Sequence, residues 1–474
     1  MPAQPNILVF FTDDHAQWAL GCYGHSEIRS PTMDHLARRG ARLNRAFTPS
    51  PVCSPARACF FTGRLPSQHG IHDWLHEPLD FVRQHPGLRG QTNIGQLMQA
   101  AGYQTGMVGK WHCGRSWEPH PGFDRWFSYG EFQFPHKGEI TFSDQGEIVP
   151  YEGYQSTAFT DQALEFLRRR DAEQPFFLFV GYVDTHTPYS ETPARLVDAY
   201  RDCDFGDIPQ ERFAACHGFN RLPWTEDAVQ HRDNLAHYYA GVSFIDEQMG
   251  RILDELDGRG ELDDTLVVYT ADHGHMNGHH GLNTKGNATI PQNFIDESIL
   301  VPGLLAWPSV LPAGQVLDQP VDHCDLFATL LEAAGAAPDA ETAQRINSPG
   351  ESYLKLLRQG GEGTWRDAFF GEYGNARVVR TATQKLIRRY PGPNGHHPDE
   401  FYDLENDPRE RENRIDDSAC QGEIAALSKR LEEHFARYEI SECSGRDMAT
   451  QFRCNEGSEP WIWTPTSSYK APSL

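Results

Sequence analysis

Five short, largely apolar runs constrain this chain more than any other feature: Ile7 to Phe11, Gln104 to Val108, Phe176 to Val183, Thr265 to Thr270 and Val301 to Trp307. None alternates apolar with polar residues, so both faces of each predicted strand have to be covered, as in a parallel sheet with helices on either side. Helix-period segments lie between the runs. Thr92 to Ala101 places Ile94, Leu97, Met98 and Ala101 on one face, and Asp233 to Leu256 does the same with Leu235, Tyr238, Tyr239, Val242, Ile245, Met249, Ile252, Leu253 and Leu256. Strand and helix alternate, which predicts an α/β fold with a mostly parallel sheet sandwiched by helices.

The pattern holds over residues 1–362. From 363 to 440 it changes to short strand-like pieces, Asp367 to Tyr373, Ala376 to Thr381, Gln384 to Tyr390 and Glu400 to Tyr402, followed by a helical stretch from about Gln421 to Tyr438. That is the pattern of a smaller α+β unit, an antiparallel sheet with one covering helix. Residues 441–474 form an irregular tail with Trp461, Trp463 and Tyr469, expected to dock on its own body or to clasp a neighbouring subunit of a homodimer or homotetramer. There is no internal repeat.

The chain has 42 Lys and Arg against 66 Asp and Glu, a formal net charge of −24. This excess of acid argues against a nucleic-acid-binding or anionic-membrane surface, while leaving room for a local basic pocket. No apolar stretch reaches the 18 or so residues of a membrane span, and Met-Pro-Ala-Gln-Pro is no signal-peptide lead, so a cytoplasmic location is expected. The ten cysteines show no C-x-x-C spacing, which argues against a structural zinc site or a disulfide framework; by default the nine other than Cys53 are buried hydrophobes.

In a parallel sheet, ligands bind beyond the carboxyl ends of the strands. Two of the predicted strands end there in acids, Asp13-Asp14 and Asp272-His273. Three carboxylates converging with a histidine need a cation to offset their repulsion, and a hard divalent ion suits them. Capping of a following helix is the plainer reading of Asp13-Asp14 alone; the second acidic strand end shifts the balance. Cys53 and Arg57 are four residues apart, so a helix beginning at Ser54 or Pro55 brings both to its N-terminal face, where backbone N–H groups and the guanidinium favour an anion.

Cys53-Ser54-Pro55-Ala56-Arg57 resembles the C-x-P-x-R core of the sulfatase family, continued by Thr62-Gly63-Arg64. The second family signature is similar to Gly102-Tyr103-Gln104-Thr105-Gly106-Met107-Val108-Gly109-Lys110-Trp111-His112. The likeness extends through Asp272-His273-Gly274, Lys285-Gly286, Asp296-Glu297-Ser298 and Phe401 to Pro408. It implies an alkaline-phosphatase-like fold and a sulfuric ester hydrolase (an arylsulfatase-like enzyme). Cys53 would be converted to formylglycine by a formylglycine-generating enzyme, its hydrated aldehyde supplying the nucleophile. Carried over position by position, Asp13, Asp14, Asp272 and His273 would hold one divalent cation with the modified Cys53: calcium, with magnesium or manganese as alternatives. Arg57, Lys110, His112, His186 and Lys285 would surround the sulfate. Two lysines near the nucleophile supply positive charge without ligating a metal, which favours one ion over two.

Phosphonate monoester or phosphodiester hydrolysis is the competing chemistry, since related enzymes use the same nucleophile motif. A non-catalytic binder of sulfated ligands is the competing class, and the complete set of nucleophile, acids and cations speaks against it. His275, His279 and His280 read as a solvated loop near the pocket, His237 as a core or boundary histidine, and Cys113 as buried and inert. Asp322-His323 reads as a helix cap, and Asp403 to Glu412 as a solvated turn. His72, Asp73, Trp74 and His76 either line a substrate pocket or pack. The sequence leaves aryl, alkyl and carbohydrate sulfates open as substrates.

Overall fold

A computed structural model describes residues 4–130, 135–209, 219–220, 228–392 and 395–455. Its centre is a ten-stranded sheet. In chain order the strands are β1 (Asn6–Thr12), β2 (Ala41–Leu43), β3 (Gln104–Gly109), β4 (Arg125–Tyr129), β5 (Lys137–Asp144), β6 (Glu147–Tyr154), β7 (Phe176–Tyr182), β8 (Thr265–Ala271), β9 (Gly303–Ala306) and β10 (Gln315–Leu317). Their spatial order is β10-β2-β9-β8-β1-β7-β3-β4-β5-β6. The five central strands β8-β1-β7-β3-β4 are mutually parallel.

Successive side chains of β1 enter different cores, Ile7, Val9 and Phe11 one and Leu8 and Phe10 the other. Both cores are apolar, which is why the strand shows no polar alternation. One face is covered by α1 (Pro31–Arg39), α4 (Gln155–Arg169) and α5 (Ala228–Gly258), the other by α2 (Cys53–Thr62), α3 (Ile94–Ala100) and α6 (His323–Ala334). The apolar face read for α5 points inward, with only Leu253 half-buried. Helix α3 starts where Asn93 and Gln96 cap each other, Gln96 N–H donating to Asn93 Oδ1 at 3.1 Å and Asn93 N–H to Gln96 Oε1 at 3.1 Å.

Two features differ from the sequence reading. The run at Val301 to Trp307 forms β9, which pairs antiparallel with β8. It is still buried on both faces, and apolar content alone does not set strand direction. The hairpin β5–β6 extends the opposite edge; its exposed faces leave no continuous apolar run to betray it.

The C-terminal sheet is antiparallel, β11 (Phe369–Tyr373), β12 (Ala376–Arg380), β13 (Gln384–Arg389) and β14 (Glu400–Asp403) in that order. Helix α7 (Gln421–Tyr438) lays Ile424, Leu427, Leu431 and Phe435, at helical spacing, on Val379, Leu386 and Phe401. The sheet's other face meets the large unit, where Phe369 stacks on Phe47 at 4.5 Å. Beyond α7 the chain runs back along the segment after α2: Ile440 N–H donates to Ser67 O (3.0 Å) and His76 N–H to Cys454 O (2.9 Å). The described part of the tail therefore packs on its own body, while Trp461, Trp463 and Tyr469 lie outside the described residues. No described helix is long and apolar enough to cross a membrane.

Candidate active site

The carboxyl ends of β1 and β8 bring the acids together. Asp13 N–H donates to Tyr182 O (3.1 Å) and Asp272 N–H to Thr12 O (2.9 Å), so the ladder continues one residue past each strand. The backbone then turns sharply at Asp14, whose φ of 53° is left-handed. Asp14 N–H donates to Asp272 Oδ1 at 3.3 Å. Asp13, Asp14 and Asp272 are all buried.

Cys53 opens α2, a helix buried along its whole length, and Pro55 sits in the first turn, where its missing N–H costs nothing. The i,i+4 spacing turns Cys53 and Arg57 to one face. Cys53 Sγ lies 3.5 Å from Asp13 Oδ1, 3.3 Å from His273 Nε2 and 3.2 Å from Lys285 Nζ. Arg57 donates from Nε to Asp272 Oδ2 (3.0 Å) and from Nη1 to Lys110 O (2.9 Å). Lys110 follows β3, where Gly109 takes a φ of 107° and a Cβ would lie 2.2 Å from Gly181 O. Only glycine tolerates both, and the turn lets Lys110 N–H donate to Gly181 O at 3.0 Å. The Lys110 ammonium bonds Asp13 Oδ2. Lys285 donates to Asp14 Oδ1 at 2.5 Å, on a loop pinned by Gly286 N–H to Pro51 O (3.1 Å).

Burial pushes all three carboxyls up, and the cations decide the outcome. Lys110 holds Asp13 well below its usual range and Lys285 holds Asp14 down. Asp272, with charged Asp13 beside it, is pushed up. Burial lowers His273. Its Nδ1 donates to Gly274 O (2.9 Å), so the Nε2 lone pair faces Asp272 Oδ1 at 3.3 Å, Asp14 Oδ1 at 3.4 Å and Asp13 Oδ1 at 3.8 Å. A lone pair turned on three carboxylates is repulsive unless a cation sits among them. The donor set of Asp13, Asp14, Asp272 and His273 therefore fits a divalent ion. Ligand atoms of Asp13, Cys53, Asp272 and His273 lie within 4.8 Å of one another, as do those of Asp13, Asp14, Cys53 and His186.

His186 follows β7, with Nδ1 2.7 Å from Thr187 O and Nε2 3.8 Å from Asp14 Oδ2. His112 follows Lys110 and is buried, and burial followed by Lys110 pushes its pKa well down. Among the described residues, Arg57 Nη2 and His112 Nδ1 are buried side-chain atoms without a hydrogen-bond partner. The pocket thus gathers every residue expected from the sequence: Asp13, Asp14, Cys53, Arg57, Lys110, His112, His186, Asp272, His273 and Lys285. Arg57 Nη2, a buried unmatched donor near the nucleophile, suits an oxyanion.

Several expectations need correction. His275, His279 and His280 are buried rather than solvated, because the loop after His273 packs against Trp18 and Glu297. His275 Nε2 lies 3.1 Å from Tyr189 OH and 3.7 Å from Asp14 Oδ2, and His280 pairs with Glu297 at 3.1 Å. Within the acidic run 403–412, Glu410 turns inward to Lys385 (2.5 Å). Asp322 does cap α6, accepting from the N–H groups of Cys324 and Asp325. His237 is half-buried, Nε2 3.8 Å from Asp233, and Cys113 is buried. His72 and Asp73 pack beneath the tail: His72 Nε2 meets Cys443 O at 2.7 Å, and Asp73 accepts from Asn455 Nδ2 at 3.0 Å. Sequence reasoning missed Tyr189 and the pair Glu77 and Ser116. His275, two residues beyond His273 on the same strand-end turn, carried a positional signal.

The sequence model of the sulfatase family matches residues 5–336, and that described as N-sulphoglucosamine sulphohydrolase, C-terminal, matches residues 291–437. An N-acetylglucosamine-6-O-sulfatase of Bacteroides thetaiotaomicron is 26% identical, over 92% of this chain and 87% of its own. A solved structure described as in complex with its substrate D-glucosamine-2-N,6-O-disulfate has a TM-score of 0.78 at 24% identity, covering 93% of this chain and 99% of that one. The phosphonate monoester hydrolase of Agrobacterium radiobacter has a TM-score of 0.72 at 20% identity, covering 92% and 97%. Both structural likenesses bear on the fold.

Proposed function

This chain belongs to the sulfatase family, and on that premise we propose that it releases sulfate from a sulfated carbohydrate, using a formylglycine made from Cys53 and one divalent cation. The observation that carries this reading is the position of Cys53 Sγ, within 3.5 Å of an acid, an imidazole and an ammonium group at the strand ends. When bound, the cation would neutralise the acids and polarise a sulfate oxygen, and formylglycine would supply the attacking hydroxyl. Asp13, Asp14, Asp272 and His273 would hold the ion. A set of mainly carboxylate oxygens makes calcium the proposed occupant, with magnesium or manganese as alternatives.

The protein's own cations take the rest of the work. A sulfate monoester carries one negative charge, and attack spreads more of it over the oxygens. Arg57, Lys110 and Lys285 surround that position in a site closed to water. His112, near Lys110, Arg57 and Asp13, is the base through Nδ1, since Nε2 donates to Leu75 O (2.9 Å) and the lone pair is left on Nδ1. Lys285 Nζ, which carries its own protons, or His186 delivers the proton to the departing alcohol. The relatives named for N-acetylglucosamine-6-O-sulfatase activity and for a glucosamine disulfate complex support an amino-sugar sulfate as substrate.

The test pairs a mass spectrum of the Cys53 peptide, from protein matured with a formylglycine-generating enzyme, with sulfate release from N-acetylglucosamine-6-sulfate and an aryl sulfate. An aldehyde mass with faster release from the sugar is expected. An unmodified thiol despite competent machinery would overturn the nucleophile. Thorough chelation should abolish release and calcium restore it. The likeness to a phosphonate monoester hydrolase supports a second reading, which prevails if phenylphosphonate shows a higher kcat/KM than every sulfate ester.

A further inference from the structure

His112 stands in a conformation that has to be held. Its φ of 55° is left-handed, a strained conformation for a residue with a Cβ. Its backbone N–H donates to Ser116 Oγ at 3.3 Å. Ser116 in turn gives its own N–H to Glu77 Oε2 (3.0 Å) and its hydroxyl proton to Glu77 Oε1 (3.0 Å). A serine hydroxyl has one proton, and once Glu77 takes it the lone pairs are left for His112. Two residues before Glu77, Leu75 O accepts from His112 Nε2, while Leu75 N–H donates to Ser54 Oγ at 2.9 Å, next to the nucleophile. Residues 75–77 thus bracket His112 against the first turn of α2. Glu77 is buried and makes no salt bridge among the described residues, an expensive placement for an acid unless its two oxygens are needed where they are.

We propose that Glu77 is a positioning residue, acting through Ser116 to fix the backbone and ring tautomer of His112 so that Nδ1 stays bare as a base. The proposal rests on the sulfatase reading for the role of His112. Its geometry is independent of that reading. In Glu77→Gln the obligate donor Ser116 N–H keeps the amide oxygen, so the amide nitrogen meets Ser116 Oγ. The hydroxyl then accepts from glutamine on one lone pair, and its own proton, no longer taken by Glu77, is left to turn toward His112 N–H.

The test begins on 15N-histidine-labelled protein with Cys53 unmodified, which needs no turnover. The His112 ring signals are those missing from His112→Gln. Wild type should show a protonated Nε2 and a bare Nδ1, and Glu77→Gln should move or average that pair. In matured protein, Glu77→Gln should lower kcat about 10- to 100-fold with KM within about threefold. Ser116→Ala should do the same and Ser116→Thr recover most of the loss; this pair replaces Glu77→Gln if that variant does not fold. Unchanged ring signals with kcat within about twofold would overturn the proposal. Failure of the sulfatase reading would appear differently, as matured wild type that releases no sulfate while the ring signals still respond to Glu77.

Discussion

The cluster around Cys53 and the cluster that ties the small sheet to the large unit both set lysine and arginine against buried or half-buried acids, yet they are finished differently. At the sheet junction, Lys385 spends its three protons on Phe294 O (2.8 Å), Asp296 Oδ1 (2.7 Å) and Glu410 Oε1 (2.5 Å). Arg380 grips Asp296 through Nε (3.1 Å) and Nη2 (2.6 Å) and gives Nη1 to Thr381 O (2.7 Å). Glu410 Oε2 accepts Asp296 N–H at 2.8 Å. Around Cys53, Arg57 Nη2 and His112 Nδ1 are left over, and an imidazole lone pair points at carboxylates. The junction's cations are spent on protein acceptors, whereas the site keeps a guanidinium N–H and an imidazole nitrogen without one.

Three substitutions would break or sharpen that contrast. Cys53→Ala should cost the largest amount, roughly 10⁵-fold or more in kcat, as removal of a covalent nucleophile does. Sulfate release per folded molecule is the measurement, and retained turnover would remove the site from the chemistry. Lys385→Met should act on stability instead, because Asp296 and Glu410 stay buried without their ammonium: about 3–5 kcal/mol in urea unfolding, with kcat per folded molecule within about twofold. A proportionate fall in kcat would show that the junction feeds the site. Lys285→Met in the metal-loaded protein should reverse the pattern, lowering kcat about 10²- to 10³-fold. Its unfolding free energy should stay within about 1 kcal/mol of wild type, since sites shaped for a ligand are rarely optimised for stability.

What the sequence made legible follows the range of the interactions. The central strands could be read because burial on both faces strips them of polar residues, and α5 and α7 because one face of each repeats at helical spacing. The residues expected at the candidate site could be named because strand ends, two short motifs and the Lys285-Gly286 pair carry them. Strand direction at β9 could not, because pairing is decided by the connection and not by side chains. The hairpin β5–β6 could not either, because its exposed faces mix polar and apolar residues. The supports of the site escaped for a further reason. Glu77 and Ser116 lie 39 residues apart in sequence, and nothing local marks either as partner to the other. The inward turn of His275 depends on Tyr189, which comes from a distant loop.

Asp184 gives the smallest test and the most direct one, because it is a buried acid that belongs to neither cluster. It follows β7, takes the hydroxyl of Ser156, and has no ion pair among the described residues. If cations are what keep buried acids charged elsewhere in the molecule, an acid without one should keep its proton. Burial does push Asp184 up, to about 7, with a backbone hydrogen bond opposing and Glu191 adding a little. The folded state then binds more protons than the unfolded chain, whose carboxyl titrates near 3.8. Its contribution to stability is full below about pH 4 and is lost as pH rises through about 7. Wild type should therefore lose about 2 kcal/mol more than Asp184→Asn between about pH 5 and pH 7, since the amide keeps the neutral shape at every pH. Urea unfolding of both proteins across that range gives the difference curve, which cancels the other titrating groups. Parallel curves would mean that Asp184 is charged in the folded protein, and that a buried carboxylate here can do without a cation.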